Sequence, residues 1–255
     1  MQDFDELIDA VFFEEYEKVK SLINRGVDVN VKDYFRDTAL ICAARTGNNE
    51  IVQLLIQAGA DVNVANKNGD SALLGASEKG LNEVVKALIA AGANVEQENR
   101  YGKTALILAL LFGHIKTAEL LVVEGSANLN ACNRFGRTAL VEVAGYDGNC
   151  ESLKALIDWG ANLNENTEFH GTALHTGVYN EDIETVRVLI EAGADLNVAK
   201  QGDTALMMAL GNGATEIVEL LIKSGADITL RNRYNQTALE LAQDAGHEEI
   251  VKLLT

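Results

Sequence analysis

The chain has 255 residues, with 38 acidic against 21 basic side chains and a formal charge of −17; it is 47% apolar and has 22 glycines and no proline. The apolar content supports a substantial core and excludes global disorder, while the missing proline excludes collagen-like and Pro-rich architectures. The excess of negative charge opposes a phosphate backbone or an anionic bilayer, so neither nucleic acid nor membrane is expected as a partner.

At the start of the chain, Asp3, Asp5, Glu6 and Asp9 are the opposite of the basic opening of a signal peptide. No apolar run approaches the roughly 18 residues of a membrane span. Residues 1–34 carry no obvious motif, yet Ala10–Asn30 aligns with Ala43–Asn63 at an offset of 33. From there Thr/Ser-Ala-Leu recurs at Thr38, Ser71, Thr104, Thr138, Thr172, Thr204 and Thr237, at spacings of 33, 33, 34, 34, 32 and 33. Out of phase with it, a Gly ahead of a small residue and Asp or Asn recurs at Gly26, Gly59, Gly92, Gly125, Gly160, Gly193 and Gly225. Two marks per period predict a unit of two elements that stacks on copies of itself.

The unit Asn99–Asn130 shows the expected construction. Asn99–Lys103 is a turn, Thr104 caps a short helix over Ala105–Phe112, and Gly113-His114 breaks it. A second helix runs over Ile115–Glu124, with Gly125 as its left-handed C-cap, and Ala127–Asn130 extends into the next turn.

These residues, N-x-x-G-x-T-A-L-x-x-A-x-x-x-G-H-x-x-x-x-x-L-L followed by G-A-D/N-V/L-N, resemble the ankyrin repeat. The resemblance covers nearly the whole chain, with Ala at every copy where the family has Pro (Ala39, Ala72, Ala105, Ala139, Ala173, Ala205, Ala238). Pro favours a first helical turn without being required there. The resemblance implies an all-α fold, an ankyrin-repeat solenoid of stacked helix-turn-helix units with hairpin turns. The expected organisation is one domain over 1–255. Residues 1–34 and 234–255 form acidic capping repeats, carrying Asp3, Asp5, Glu6, Glu14, Glu15 and Glu17 at one end and Glu240, Asp244, Glu248 and Glu249 at the other. Internal repeats occupy 35–67, 68–100, 101–134, 135–168, 169–200 and 201–233. Gly75, Gly145, Gly177 and Gly211 fall outside the recurrent turns, in first helices, where close packing or a ligand hollow accounts for them.

Candidates for chemistry are sparse. Cys42, Cys132 and Cys150 are odd in number and lack C-x-x-C spacing, which points to free thiols in a reducing cytoplasm; leaderless secretion of an effector stays open. Cys150, at a helix start, is the candidate for a lowered pKa. By the resemblance, His114 and His247 take capping positions between helices, and His175 hydrogen-bonds locally; His170 lies in a turn. No Ser or Cys has a placed His and acid partner. Gly211-Asn212-Gly213 lacks the rest of a phosphate loop. Asn235-Gln236-Thr237 fits N-glycosylation only in a secreted chain. Asn63 and Asn197 resemble sites of asparagine hydroxylation in some ankyrin proteins, against the plainer role of hydrogen bonding within their extended segments. No catalytic residue, metal or cofactor is expected.

The resemblance implies a protein-binding concave face made of hairpin tips and first helices. Three residues before each Thr/Ser stand Phe35, Asn68, Tyr101, Phe135, Phe169, Gln201 and Tyr234. First helices end in polar pairs except at Leu111-Phe112, Tyr146 and Tyr179. Tyr101, Leu111, Phe112, Phe135, Tyr146, Phe169 and Tyr179 are therefore the expected partner site, on consecutive central units. The partner is expected to be a basic or amphipathic protein or peptide, met by a monomer. Irregular spacing near Gly125-Ser126-Ala127 and Tyr146-Asp147-Gly148, and Glu181 at an inter-helix Gly position, fall in the same region. Two alternatives stand beside this: a small-molecule sensor or enzyme with a pocket near Gly145, Cys150, His175 and Gly177, and a designed or consensus-like scaffold without a natural partner.

Overall fold

The structure, a computed structural model, describes residues 2–146 and 148–255, with side chains from residue 6 onward; Asp147 and the side chains of Asp3 and Asp5 lie outside the described residues. Two compact units are present, up to Asn128 and from Leu129 on.

In the first unit the helices come in pairs: α1 (Gln2–Phe12) and α2 (Tyr16–Asn24), α3 (Ala39–Thr46) and α4 (Asn49–Gln57), α5 (Ala72–Glu78) and α6 (Asn82–Ala90), α7 (Ala105–Leu111) and α8 (Ile115–Val123). First helices pack in the series α1, α3, α5, α7 and second helices in the series α2, α4, α6, α8. The second unit repeats the scheme with α9 (Ala139–Ala144) to α16 (Glu248–Leu254). Its first helices are α9, α11 (Ala173–Tyr179), α13 (Ala205–Asn212) and α15 (Ala238–Asp244). Its second helices are α10 (Cys150–Asp158), α12 (Ile183–Glu191), α14 (Thr215–Lys223) and α16.

The repeated sequence explains the repeated form. Thr38, Ser71, Thr104, Thr138, Thr204 and Thr237 each accept a hydrogen bond from the backbone N–H three residues on, supplying one of the donors a helix start leaves open. The Ala that follows is buried in all seven copies, and the small side chain lets neighbouring first helices approach. The core lies between the two helix layers, with Leu40, Leu73 and Leu88 among its fully buried side chains in the first unit and Leu140 in the second.

Asparagines tie successive repeats. In the first unit Asn30 accepts from the N–H of Asp61 (2.7 Å) and donates to the carbonyl of Gly59 (3.2 Å); Asn63 does the same with Asn94 (2.7 Å) and Gly92 (3.3 Å). In the second, Asn164 and Asn197 accept from Asp195 and Asp227, both at 2.9 Å. Thus Asn63 and Asn197 bond within their own segments through the backbone N–H, which donates to Asp61 (3.0 Å) and Asp195 (2.9 Å), while their side chains bond between repeats.

The insertions have local solutions. Gly125 is not the left-handed residue after α8: that place passes to Ser126 (φ 56°), because the extra residue shifts the helix exit by one position. Glu181 does take the left-handed inter-helix position in place of Gly (φ 57°). Gly145 is not inside a first helix but follows α9 as its C-cap. Where the spacing shortens to 32, the hairpin closes into a two-residue turn between β1 (Ala199–Lys200) and β2 (Asp203–Thr204). Gln201 and Gly202 both have positive φ, as such a turn requires.

Candidate functional site

Exposed aromatic side chains stand where hairpins and first helices meet solvent. In the first unit Tyr101 is 53% and Phe112 56% exposed, while Leu111 is half-buried at the end of α7. The Tyr101 ring is covered on one face by Arg100, whose guanidinium lies 4.6 Å from its centroid. In the second unit Phe135, Tyr146, Phe169 and Tyr179 are all exposed, Tyr179 at 70%. Phe169 reaches the hairpin of the preceding repeat, its ring edge 4.0 Å from where a Cβ on Gly136 would stand.

The end of α9 adds a cleft of about 410 Å³ within the second unit. Its walls combine Arg137, Val141 and Gly145 from one repeat with His170, Thr176 and Tyr179 from the next. His175 and Asn180 complete that second wall, and Lys200 enters from the following hairpin. Gly145 stands where other repeats have Arg45, Glu78 or Leu111, and its missing side chain opens the space; its carbonyl accepts from the Asn180 amide at 3.1 Å. Of the pocket residues expected from sequence, Gly145 and His175 line this cleft. Gly177 does not: it faces α12, where a Cβ would stand 2.9 Å from Thr185 Cγ2. Cys150 begins α10, outside the lining.

Electrostatics differ between the hairpins of the two units. In the first, Arg45 pairs with Asp37 (3.1 Å) and Asp70 (3.4 Å), its stem lying across Gly75. In the second, the residue before the cap is Arg137. Its Nε lies 3.1 Å from His170 Nε2, and its Nη1 lies 3.8 Å from the carboxylate of Glu142, which is 2% exposed and accepts from Asn133 at 3.0 Å.

The histidines read differently once placed. His175 Nδ1 accepts from the Thr172 N–H (3.2 Å) in a capping box at the start of α11. The proton is thereby placed on Nε2, which faces the carbonyls of Val198 and Asp203 without reaching hydrogen-bond geometry. Burial, helped by the Lys200 ammonium, lowers its pKa to about 4. Burial, with Arg137 and Lys200 adding to it, also lowers that of His170. His114 and His247 occupy the N-cap positions of α8 and α16, as expected, but their side chains make no cap hydrogen bond there. His114 Nε2 instead bonds the carbonyl of Glu78 in the preceding repeat (3.1 Å), its ring stacked over Gly80, and His247 lies likewise over Gly213. The signal for this was the Gly paired with each ring one repeat earlier.

Among the described residues no three His, Cys, Asp or Glu side chains gather where a metal ion would be held, and no helix is long and apolar enough to cross a membrane. Cys42 is raised to about 11 by burial together with Asp37 and Asp33, so it is a thiol and not a nucleophile at neutral pH.

The family model for ankyrin repeats (3 copies) matches overlapping segments 7–99, 75–167, 123–200, 141–232 and 174–255. Among solved structures, the human ASB11 ankyrin repeat domain is similar at 26% identity with a TM-score of 0.70, over 86% of this chain and 98% of that one. No curated protein sequence matches. Paired helices, Thr caps, asparagine bridges and the matched segments lead to one conclusion: the chain belongs to the ankyrin-repeat family.

Proposed function

We propose that this chain binds a protein or peptide segment through the exposed aromatic side chains of its hairpins and first helices. Ankyrin repeats generally serve as protein-interaction modules, which supports the class of activity. The observation that carries the site is the exposure of Tyr101, Phe112, Phe135, Tyr146, Phe169 and Tyr179 at positions the repeat framework does not need, with Leu111 beside them. Large rings left in water by a fold that buries its Leu and Ala so thoroughly are the usual anchors of an interface. The charge of −17 favours a basic or amphipathic partner and fast encounter at low salt. The reading includes a monomeric chain in a reducing, cytoplasmic compartment, with no catalysis of its own and no nucleic-acid partner.

Affinity capture with wild type, Phe112→Ala and Phe169→Ala tests it, one variant for each compact unit. Proteins retained by wild type are expected to be lost from at least one variant whose circular dichroism is unchanged. Retention that is the same for all three removes the aromatic site. A salt titration of the retained complex reads the electrostatic part separately.

A further inference from the structure

In a chain that is strongly acidic as a whole, the second unit brings two cations, Arg137 and Lys200, from separate repeats to one cleft, with the His170 imidazole between their repeats accepting from Arg137. Lys200 owes its place to the shortened hairpin. Lys67, Arg100 and Arg233, at the same distance before their caps, lie over tyrosine rings, whereas the Lys200 stem lies across Gly171, its Cδ 2.9 Å from where a Cβ would be. Among the described residues it makes no ion pair, although Asp203 stands opposite it on the hairpin. Arg137 engages Nε and Nη1, as described above, and among the described residues Nη2 makes no hydrogen bond. Glu142, the carboxylate beside Arg137, is buried and carries one negative charge against the two permanent positive charges of Arg137 and Lys200.

We propose that this cleft seats a carboxylate carried by the partner segment, with Arg137 Nη2 and the Lys200 ammonium as its donors and the exposed Tyr179 ring against its methylenes. A planar guanidinium edge and a mobile ammonium together suit a carboxylate, and charge-assisted hydrogen bonds of this kind are the stronger ones. The absent side chain at Gly145 supplies the room. The proposal rests on the partner-binding reading and deepens it: the segment is basic or amphipathic toward the acidic surround and carries one acidic residue at this point.

The test follows the ring protons of His170, which lies beside Arg137, during titration with N-acetyl-glutamate and N-acetyl-glutamine, both as their α-carboxamides so that the side-chain carboxylate is the single difference, and with inorganic phosphate. N-acetyl-glutamate is expected to shift them saturably and N-acetyl-glutamine to bind about tenfold more weakly or not at all. Lys200→Met, which keeps an apolar stem against Gly171 while removing the ammonium, is expected to weaken N-acetyl-glutamate at least about fivefold with an unchanged melting temperature. Arg137→Met serves as the second variant. Equal responses to the two amino acids, or a response that survives both variants, overturns the proposal. Tighter saturation by phosphate overturns the carboxylate assignment in favour of a phosphoryl group. Binding of N-acetyl-glutamate alongside partner capture indifferent to Phe112→Ala and Phe169→Ala would keep the cleft and remove the aromatic surface; the reverse pattern would remove the cleft alone.

Discussion

The side-chain amide of Asn63 holds the backbone of the next repeat at two points, accepting from the N–H of Asn94 at 2.7 Å and donating to the carbonyl of Gly92 at 3.3 Å. Asn63→Ala is expected to lower the urea midpoint by an amount equivalent to about 1–2 kcal/mol, because two net hydrogen bonds are lost while the freed backbone groups turn to water. Asn63→Asp keeps the acceptor and loses the donor, so its midpoint should fall between those of wild type and the Ala variant. An Ala variant as stable as wild type would show that the bridge contributes nothing.

Gly211 and Gly177 make a contrasting pair. Gly211 sits in the last turn of α13 without positive φ, and a Cβ there would meet nothing within 4 Å. Gly211→Ala is expected to stabilise by about 0.5–1 kcal/mol through helix propensity and a less free unfolded chain. At Gly177 the added Cβ would press on Thr185 Cγ2 at 2.9 Å and Val186 Cγ2 at 3.3 Å, both buried between α11 and α12. Gly177→Ala is expected to destabilise by about 1–3 kcal/mol. Thermal melts of both variants check the opposite signs.

Acidification acts through the two histidines of the cleft. His175 is held near pKa 4 in the folded chain and returns toward 6.5 when unfolded, so the unfolded state binds the extra proton. Stability from this group is complete above about pH 6.5 and is lost as pH falls toward 4, by an amount on the order of 2–3 kcal/mol. His170, also lowered, adds in the same direction. Urea midpoints at pH 7, 5.5 and 4.5 for wild type and His175→Gln should show a smaller decline in the variant; parallel declines would remove His175 as the cause.

Thiol labelling separates the cysteines. Cys132 is exposed, whereas Cys42 is partly covered and its pKa is pushed up to about 11 by burial and by Asp37 and Asp33. At pH 8 a disulfide reagent is expected to modify Cys132 first and Cys42 at least about tenfold more slowly, the thiolate being the reacting form. Mass spectrometry of partly labelled protein reads the order, and equal rates would contradict the burial of Cys42.

Much of the fold is written in residues whose role is local. Thr104 caps α7 whatever lies around it, and the period of its copies places each helix pair before any contact is known. Other features depend on what a neighbouring repeat brings. His114 looks like a cap in its own segment and is instead a bond to Glu78, 36 residues earlier. Gly125 looks like a helix stop, but the inserted residue hands that conformation to Ser126. At the candidate site, the aromatic positions emerge from aligning the copies. The cationic cleft does not, because Arg137, His170 and Lys200 occupy different positions of their repeats and meet only after the hairpin at Gln201-Gly202 has tightened.

The asparagine bridges have a consequence for how the length of such a chain can change. Each links residues 29–32 apart, two or four residues short of the matching place in the next copy. Duplicating or excising one whole copy therefore returns every donor to an acceptor of the same kind. Single-residue slips are absorbed instead at the helix exit near Ser126 and at the tip near Gly202, where positive φ at Ser126, Gln201 and Gly202 takes up the change in length. Growth by whole copies and variation at tips are thus separable in this chain, and the cleft below Lys200 is a product of the second kind of change.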